Sequence, residues 1–132
     1  FRFALEAAGG IGTWDWDVRA DGVRTSEQFA RMYGLDPVRA AAGLPVAEYI
    51  AGIHPDDRAE VERQIAAAVA GDGEYRAEYR LSGIDGEVRW VVARGRCFYD
   101  EAGAATRLPG VTFDITDRKR AEEALAESEH RY

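Results

Sequence analysis

Few residues of this sequence have the types and the spacing that catalysis or metal binding requires. His54 could ligate a metal or a haem iron, and the adjacent acids Asp56 and Asp57 could act as a carboxylate pair. However, no second histidine or cysteine lies near His54, and Pro55 is typical of the first residue of a helix. We therefore interpret His54 as a structural residue at a helix start. The two acids are charges that favour the positive end of that helix.

The remaining candidates do not form an active site either. Cys97, the single cysteine, excludes an internal disulfide and is typical of a reducing compartment. His130 lies in a predicted exposed helix, and a phosphoacceptor would need its own dimerisation helices and ATP domain, so we interpret it as a surface residue. Gly9, Gly10 and Gly12 precede a strand, whereas a dinucleotide-binding fingerprint opens a helix. We expect no catalytic residue, no metal and no enzymatic activity in this domain.

Length and composition indicate one acidic globular domain. The 132 residues are 46% apolar, which is ordinary for a chain that buries a core. The net charge is −7, and no basic stripe with interleaved aromatics occurs, so we expect no binding to nucleic acid or anionic lipid. The apolar runs are too short to span a bilayer, and no signal peptide is recognisable, so we expect a cytoplasmic location. Because the sequence starts at Phe1 rather than Met, we expect it to belong to a longer protein.

The hydrophobic pattern predicts an α+β domain with a five-stranded antiparallel sheet. The five predicted strands are 13–19, 23–25, 75–82, 88–99 and 107–116. A short helix is predicted for residues 1–8, several short helices follow the second strand, and a long helix runs from Pro55 to Val69. The turns between the strands are short, which favours antiparallel pairing, and we expect the helices to cover one face of the sheet.

The stretch 110–125 changes its hydrophobic period without a Gly or Pro spacer. Alternating apolar and polar residues predict a strand up to Thr116, and the residues after it favour an exposed helix. Thr116 is the predicted N-cap of this helix. The basic residues 118–120 lie at the unfavourable end of the helix dipole, so we expect a carboxylate near them, either Asp114 or one from a neighbouring chain. Ala121, Leu125, Ser128 and Tyr132 have the spacing of a heptad seam.

Four segments of the sequence carry a family resemblance. They are Gly-Ile-Gly-Thr-Trp-Asp-Trp-Asp (10–17), Ile-His-Pro-Asp-Asp-Arg (53–58), Glu-Tyr-Arg-Leu with Asp-Gly-Glu-Val-Arg-Trp-Val (78–91), and Gly-Val-Thr-Phe-Asp-Ile-Thr-Asp-Arg-Lys-Arg-Ala-Glu-Glu-Ala-Leu (110–125). In this order they resemble the PAS domain with its C-terminal PAC motif, of the PAS fold-3 type found in bacterial sensor histidine kinases. The resemblance implies sheet order 2-1-5-4-3, a core over 9–116 and a C-terminal signalling or coiled-coil linker helix over 117–132. It also implies that Asp114 and Thr116 fill the family's Asp-x-Thr positions at the exit to that helix.

Many members of this family enclose a cavity between sheet and helices, so the resemblance suggests a ligand pocket. The residues that could line it are Phe29, Met32, Tyr33, Tyr49, Ile53, Ile65, Tyr79, Trp90 and Val92. A closely packed core without a ligand is the alternative interpretation. The sequence lacks the Asn-Cys-Arg-Phe-Leu-Gln motif of flavin-binding members and the long-helix histidine of haem-binding members. We therefore expect neither flavin nor haem, and a small organic ligand stays open.

We predict a sensory and signal-relay module of a multidomain protein, a sensor histidine kinase in a two-component phosphorelay. Asp114 and Thr116 would fix the joint between strand and helix, and Arg118 would supply charge contacts. The module would form a homodimer through its terminal helices and adjoin further PAS or kinase domains of the same chain. The alternative is a small-molecule receptor that regulates a diguanylate cyclase or phosphodiesterase.

Overall fold

The structure is a computed structural model that describes residues 10–82 and 87–131. The helix predicted for residues 1–8, the turn predicted at Asp85-Gly86, the side chain of His130, and Tyr132 in the heptad seam lie outside the described residues.

The described strands form one antiparallel sheet. They are β1 (Ile11–Asp17), β2 (Gly22–Thr25), β3 (Glu74–Ser82), β4 (Val88–Arg96), β5 (Phe98–Tyr99) and β6 (Ala105–Asp114). The order is β2-β1-β6-β4-β3, and β5 pairs with β6 beyond the end of β4. This is the predicted order, with the last strand counted as sixth instead of fifth. The α+β class and the antiparallel sheet are confirmed.

The prediction of one strand over residues 88–99 was wrong, because that stretch divides at Cys97. The Cys97 N–H donates to the carbonyl of Gly73 at 2.8 Å, and the Cys97 side chain is buried. After Cys97 the chain pairs with β6, with a register shift between Phe98 and Tyr99. The division gives the described sheet six strands instead of five.

Five helices accompany the sheet in the described part of the chain. They are α1 (Glu27–Met32), α2 (Pro37–Ala42), α3 (Val46–Ile50), α4 (Pro55–Ala67) and α5 (Thr116–Arg131). The structural interpretation of His54 is confirmed, because its Nδ1 accepts the Asp56 N–H at 3.2 Å at the start of α4. The regular helix ends before Val69, and a π-helical turn, Ala68–Asp72, follows it. The Tyr99 hydroxyl accepts the Gly73 N–H at 2.9 Å and donates to the Ala68 carbonyl, so a strand side chain holds this turn.

The core lies between the inner face of the sheet and helices α1 to α4. One buried cluster contains residues of α4, β3 and β4, and a second contains Val23, Phe29 and Tyr49. Trp14, Trp16 and Tyr33 pack against both clusters and join them.

The Trp14 ring lies over two glycines of the neighbouring strands. Gly95 of β4 and Gly110 of β6 face each other in the sheet. A Cβ atom at Gly110 would clash with this ring, and one at Gly95 would lie 2.7 Å from the Pro109 carbonyl oxygen and 3.0 Å from the ring. The indole N–H of Trp14 donates to the Leu108 carbonyl at 2.7 Å, which fixes the ring in this place. Glycine is therefore required here by close approach, as is common inside strands.

Candidate functional site

The joint between β6 and α5 is held by Asp114. One residue, Ile115, separates strand from helix. Asp114 Oδ1 accepts the Thr116 N–H at 2.9 Å, and Arg89 donates to Asp114 Oδ2 at 2.5 Å. An N–H group at a helix start has no partner inside the helix, so this carboxylate supplies one. Asp114 thus binds the first turn of α5 and β4 at once.

The prediction that the Thr116 side chain caps its own helix was wrong. Its Oγ1 accepts the backbone N–H of Trp90 in β4 at 3.0 Å, and the side chain is almost completely buried. The Ile115 N–H donates to the Trp90 carbonyl at 2.8 Å. Both backbone groups of Trp90 are therefore bonded to residues at the joint. Thr116 ties the helix start to the sheet, while the Asp114 side chain, one residue before the N-cap position, accepts the Thr116 N–H.

The carboxylate near the basic first turn of α5 is Glu78, not Asp114. Lys119 Nζ lies 2.5 Å from Glu78 Oε1, and an Arg118 guanidinium nitrogen lies 3.8 Å from Glu78 Oε2. Glu78 belongs to β3, so these ion pairs connect α5 with the outer face of the sheet. On that face Lys119 and Arg80 both lie over the Trp90 ring, at 4.8 Å and 5.4 Å from its centre, in cation–π range.

Asp114 is charged in this environment. Burial alone would raise the pKa of its carboxyl group, but the hydrogen bonds from Thr116 and the Arg89 guanidinium outweigh burial and hold the pKa below its usual range. Asp57 is similar: the hydrogen bonds from Arg80 lower the pKa of its carboxyl group. Both acids therefore stabilise the fold only while they are ionised.

We expect Asp114→Asn to lower the free energy of unfolding by about 2 kcal/mol at neutral pH, because charge-assisted hydrogen bonds are lost. A carboxyl group whose pKa is lowered by folding contributes fully above its unfolded pKa, near 4, and loses this contribution as the pH falls through the folded value. The difference in the free energy of unfolding between wild type and variant should therefore become smaller below about pH 4. Urea unfolding from pH 7 to pH 3 measures it. Glu62→Gln, at an exposed position of α4, is the control. A difference that stays constant with pH would contradict this role of Asp114.

A cavity of about 60 Å³ lies between the helices and the inner face of the sheet. Six of the nine residues predicted for a pocket line it: Phe29, Tyr33, Tyr49, Ile53, Ile65 and Tyr79. The sequence analysis missed other lining residues, among them Trp14, Trp16, Tyr75 and Leu108. The period-two alternation of Trp14 with Trp16, and of Tyr75 with Tyr79, was the signal that could have placed them on the inner face.

The other three predicted residues do not line this cavity. Trp90 lies on the outer face, under Lys119 and Arg80. Val92 faces the same way, because it pairs with Glu78 whereas the buried Val91 pairs with Tyr79. Placing Trp90 and Val92 in the pocket was therefore wrong. Met32 packs against the first core cluster at the end of α1 without lining the cavity.

The cavity presents neutral hydroxyl groups and no charge. The Tyr33 and Tyr79 hydroxyls hydrogen-bond to each other, and burial raises the pKa of Tyr33, Tyr75 and Tyr79 well above the usual range. The described lining residues include no His, Cys, Asp or Glu. Such a site suits a small uncharged molecule that exchanges hydrogen bonds with phenol groups.

The described residues contain neither a metal-site constellation nor a membrane span. No three His, Cys, Asp or Glu side chains within 10–82 and 87–131 are grouped closely enough to hold a metal ion. None of the helices in these ranges has the length and apolar character to cross a membrane.

Comparison with known proteins gives the family context of the chain. The signature of the PAS fold family matches residues 23–112. The chain is 30% identical over 125 residues to the sensor protein FixL of Bradyrhizobium diazoefficiens, covering 95% of this chain and 24% of FixL. It is 26% identical over 124 residues to the probable diguanylate cyclase DgcE of Escherichia coli, covering 94% of this chain and 11% of DgcE.

A solved structure is also similar over nearly the whole chain. It belongs to a sensory box histidine kinase/response regulator from Burkholderia thailandensis, with a TM-score of 0.80 and 32% identity, covering 99% of this chain and 95% of that one. The chain spans about a quarter of the length of FixL and about a tenth of DgcE. Because the family signature covers more than half of its residues, this chain belongs to the PAS fold family.

Proposed function

We propose that the chain is the sensory and signal-relay domain of a multidomain sensor histidine kinase in a two-component phosphorelay. The observation that carries the proposal is the joint: Asp114 and Thr116 bind the start of α5 directly to β4. In this proposal residues 9–116 form the sensing core, and residues 117–132 form a signalling helix that leads to adjacent PAS or kinase domains of the same chain. The similarity to a histidine kinase structure supports this output.

A change inside the core has a short route to α5. Leu108 lines the cavity and Asp114 ends the same strand, β6, six residues later. A ligand, or a change in how the helices pack, would shift β6 against β4, and the bonds of Asp114 and Thr116 would transmit that shift to the helix axis. If α5 has two orientations of nearly equal energy, this shift changes which of them is populated and so biases a distant domain. Arg118 and Lys119 add a second connection through Glu78.

In this proposal the domain is a homodimer through α5. Side chains 121–129 of the helix are all exposed, and Leu125 keeps 61% of its surface accessible. Ala121, Leu125 and Ser128 form one stripe with the spacing of a coiled-coil seam. Burying this stripe against the same stripe of a second copy would remove the exposed leucine from water.

We expect Leu125→Lys to weaken dimerisation about tenfold or more, because it places two like charges and two long polar side chains at the seam. Sedimentation equilibrium over a range of concentrations measures the dissociation constant. Glu123→Lys is the matched control, since residue 123 lies opposite the seam on the same helix. Equal dissociation constants for the two variants would contradict the seam.

The second candidate is a receptor for a small organic molecule that regulates a diguanylate cyclase or phosphodiesterase, and the cavity favours it. Its volume of about 60 Å³ is far below the several hundred Å³ that cofactor-sized ligands occupy, so we expect neither flavin nor haem. The described lining residues are apolar or carry neutral hydroxyl groups, which suits binding, and in this proposal the domain itself is not an enzyme. The single cysteine, buried and free, supports a cytoplasmic location. Native mass spectrometry of the purified chain separates the candidates, because a bound mass that survives gel filtration would favour the receptor.

A further inference from the structure

Part of one sheet edge in the described chain is uncovered. At the β2 edge, Val23 exchanges backbone hydrogen bonds with Leu44. At the β3 edge, Arg80 and Ser82 are bonded to residues 52–57: the Arg80 carbonyl accepts the His54 N–H at 2.8 Å, and the Ser82 N–H donates to the Gly52 carbonyl at 2.9 Å. Residues 74–78 of β3 have no such cover among the described residues.

The backbone of this uncovered segment points its hydrogen-bonding groups outward. In an antiparallel pair, residues alternate between those bonded to the partner strand and those facing away from it. The Arg80 and Ser82 bonds show that even-numbered residues of β3 face away from β4, whereas the carbonyl of Gly73, an odd-numbered position, accepts from Cys97. Glu74, Arg76 and Glu78 therefore present their N–H and C=O groups to the open edge, which is a template for another strand.

The side chains along this edge alternate in charge. Glu74, Arg76, Glu78 and Arg80 follow one another at every second position on the outer face. Glu78 and Arg80 have ion-pair partners, in Lys119 and Asp57. Glu74 and Arg76 form no ion pair within 4 Å among the described residues. In β4, Glu74 has Arg96 opposite it, whereas Arg76 has Arg94 opposite it, a like-charge pair that costs stability. Two residues apart, one acid and one base thus lack an ion pair in the described part of the chain.

We infer that this edge pairs with the same edge of a second copy of the chain, antiparallel and centred on Tyr75. A two-fold axis at that position sets Glu74 against the partner's Arg76, and Arg76 against the partner's Glu74. Both are outward-facing positions, so the two strands would exchange four backbone hydrogen bonds and form two ion pairs. The charge alternation makes the edge self-complementary, as an isologous interface requires.

The surroundings of the edge leave room for this contact. A groove separates it from α4, and it is lined by Arg63, Gln64, Ala67, Asp72, Glu74 and Arg76. The hydrogen bonds that cover Arg80 and Ser82 begin beyond residues 74–76, the stretch of each copy that the two-fold pairing uses. The contact is small, so we expect it to be weak compared with an extensive dimer interface. It adds a second self-association surface beside the proposed α5 seam and does not depend on that seam.

The experiment measures self-association in the Leu125→Lys background, where the helix contact is weakened. Arg76→Glu sets Glu74 against a glutamate, and we expect the dissociation constant from sedimentation equilibrium to rise about tenfold. The double variant Glu74→Arg with Arg76→Glu exchanges the two charges and should restore the dissociation constant to within about threefold of the parent. Arg39→Glu, which makes the same charge change on exposed α2, should leave it unchanged.

A backbone variant tests the hydrogen bonds of the same edge. Arg76→Ala and Arg76→Pro both remove the charge, but only the proline also removes the outward N–H, a change that an edge strand tolerates. Arg76→Pro should therefore weaken the contact more than Arg76→Ala does, while circular dichroism stays that of the parent. The inference is overturned if the Leu125→Lys protein is a monomer at every concentration, if Arg76→Glu has no effect, or if the charge exchange fails to restore association. Self-association that responds to residue 76 but not to Leu125 would instead overturn the α5 seam of the proposed function.

Discussion

Gly110→Ala should lower the free energy of unfolding by about 3 kcal/mol, the upper part of the range for overpacked cores. The added Cβ would lie far inside van der Waals contact with the Trp14 ring and with the Arg94 carbonyl oxygen. Neither the ring nor the carbonyl can move away easily. The Trp14 ring is held by its hydrogen bond to the Leu108 carbonyl, and Arg94 belongs to the neighbouring strand β4. Relief therefore requires that the ring leave the sheet and that the core around the cavity reorganise.

Urea unfolding measures this effect, and the sheet offers a matched control. Gly22 in β2 has open space where its Cβ would be, so Gly22→Ala should change the free energy of unfolding by less than about 0.5 kcal/mol. A second variant, Gly95→Ala, should resemble Gly110→Ala, because its Cβ would lie 2.7 Å from the Pro109 carbonyl oxygen. If Gly110→Ala is as stable as Gly22→Ala, the ring does not lie where the structure has it.

Thr116→Val should cost about 2 kcal/mol, although the two side chains have nearly the same shape. The substitution removes the oxygen that accepts the Trp90 N–H and leaves this donor without a partner beside a buried side chain. Loss of this hydrogen bond also weakens the attachment of α5 to β4, which then depends on the hydrogen bonds of Ile115 and Asp114. Hydrogen exchange of the Lys119 amide, which donates to the Ile115 carbonyl in the first turn, should accelerate together with the loss of stability.

The control for this position is Thr116→Ser, which keeps the hydroxyl and should cost only about 0.8 kcal/mol for the lost methyl group. In the kinase that we propose as the parent, Thr116→Val should uncouple the signal from the output, and Thr116→Ser should not. If valine and serine variants have the same amide exchange and the same output, the bond to Trp90 does not transmit the signal.

Where apolar and polar residues alternate strictly along a strand, the sequence predicts which side chains face the core. In β4 they do not alternate, and its inward face could not be predicted. Tyr79 has charged neighbours on both sides, so its inward direction follows from period two alone. Trp90, Val91 and Val92 are consecutive and apolar, so no period assigns them a face. The pairing of Val91 with Tyr79 decides it, and the register of that pairing is set between β3 and β4, not by the residue types of β4 alone.

The joint shows the same division between local and long-range information. The change of period predicted the joint to within two residues, since the strand was expected to reach Thr116 but ends at Asp114, and the helix begins at Thr116. The partners were assigned wrongly because Thr116 bonds to Trp90, and Lys119 to Glu78, residues that only the folded sheet brings near. The end of β4 at Cys97 also depends on a distant carbonyl, that of Gly73. Local propensity predicts the elements, and tertiary contacts choose among the hydrogen-bond partners.

The length of α5 determines how small a motion of the sheet can matter. Its 16 residues extend about 24 Å at 1.5 Å per residue, so a tilt of about 5° at Thr116 displaces the far end by about 2 Å. Displacements of 1–2 Å are of the size by which helices shift at the interfaces of switching proteins. A change of a few tenths of an ångström near the anchored end, too small to alter the appearance of the cavity, would therefore displace the far end of α5 by enough to reposition the adjacent domain of the proposed function.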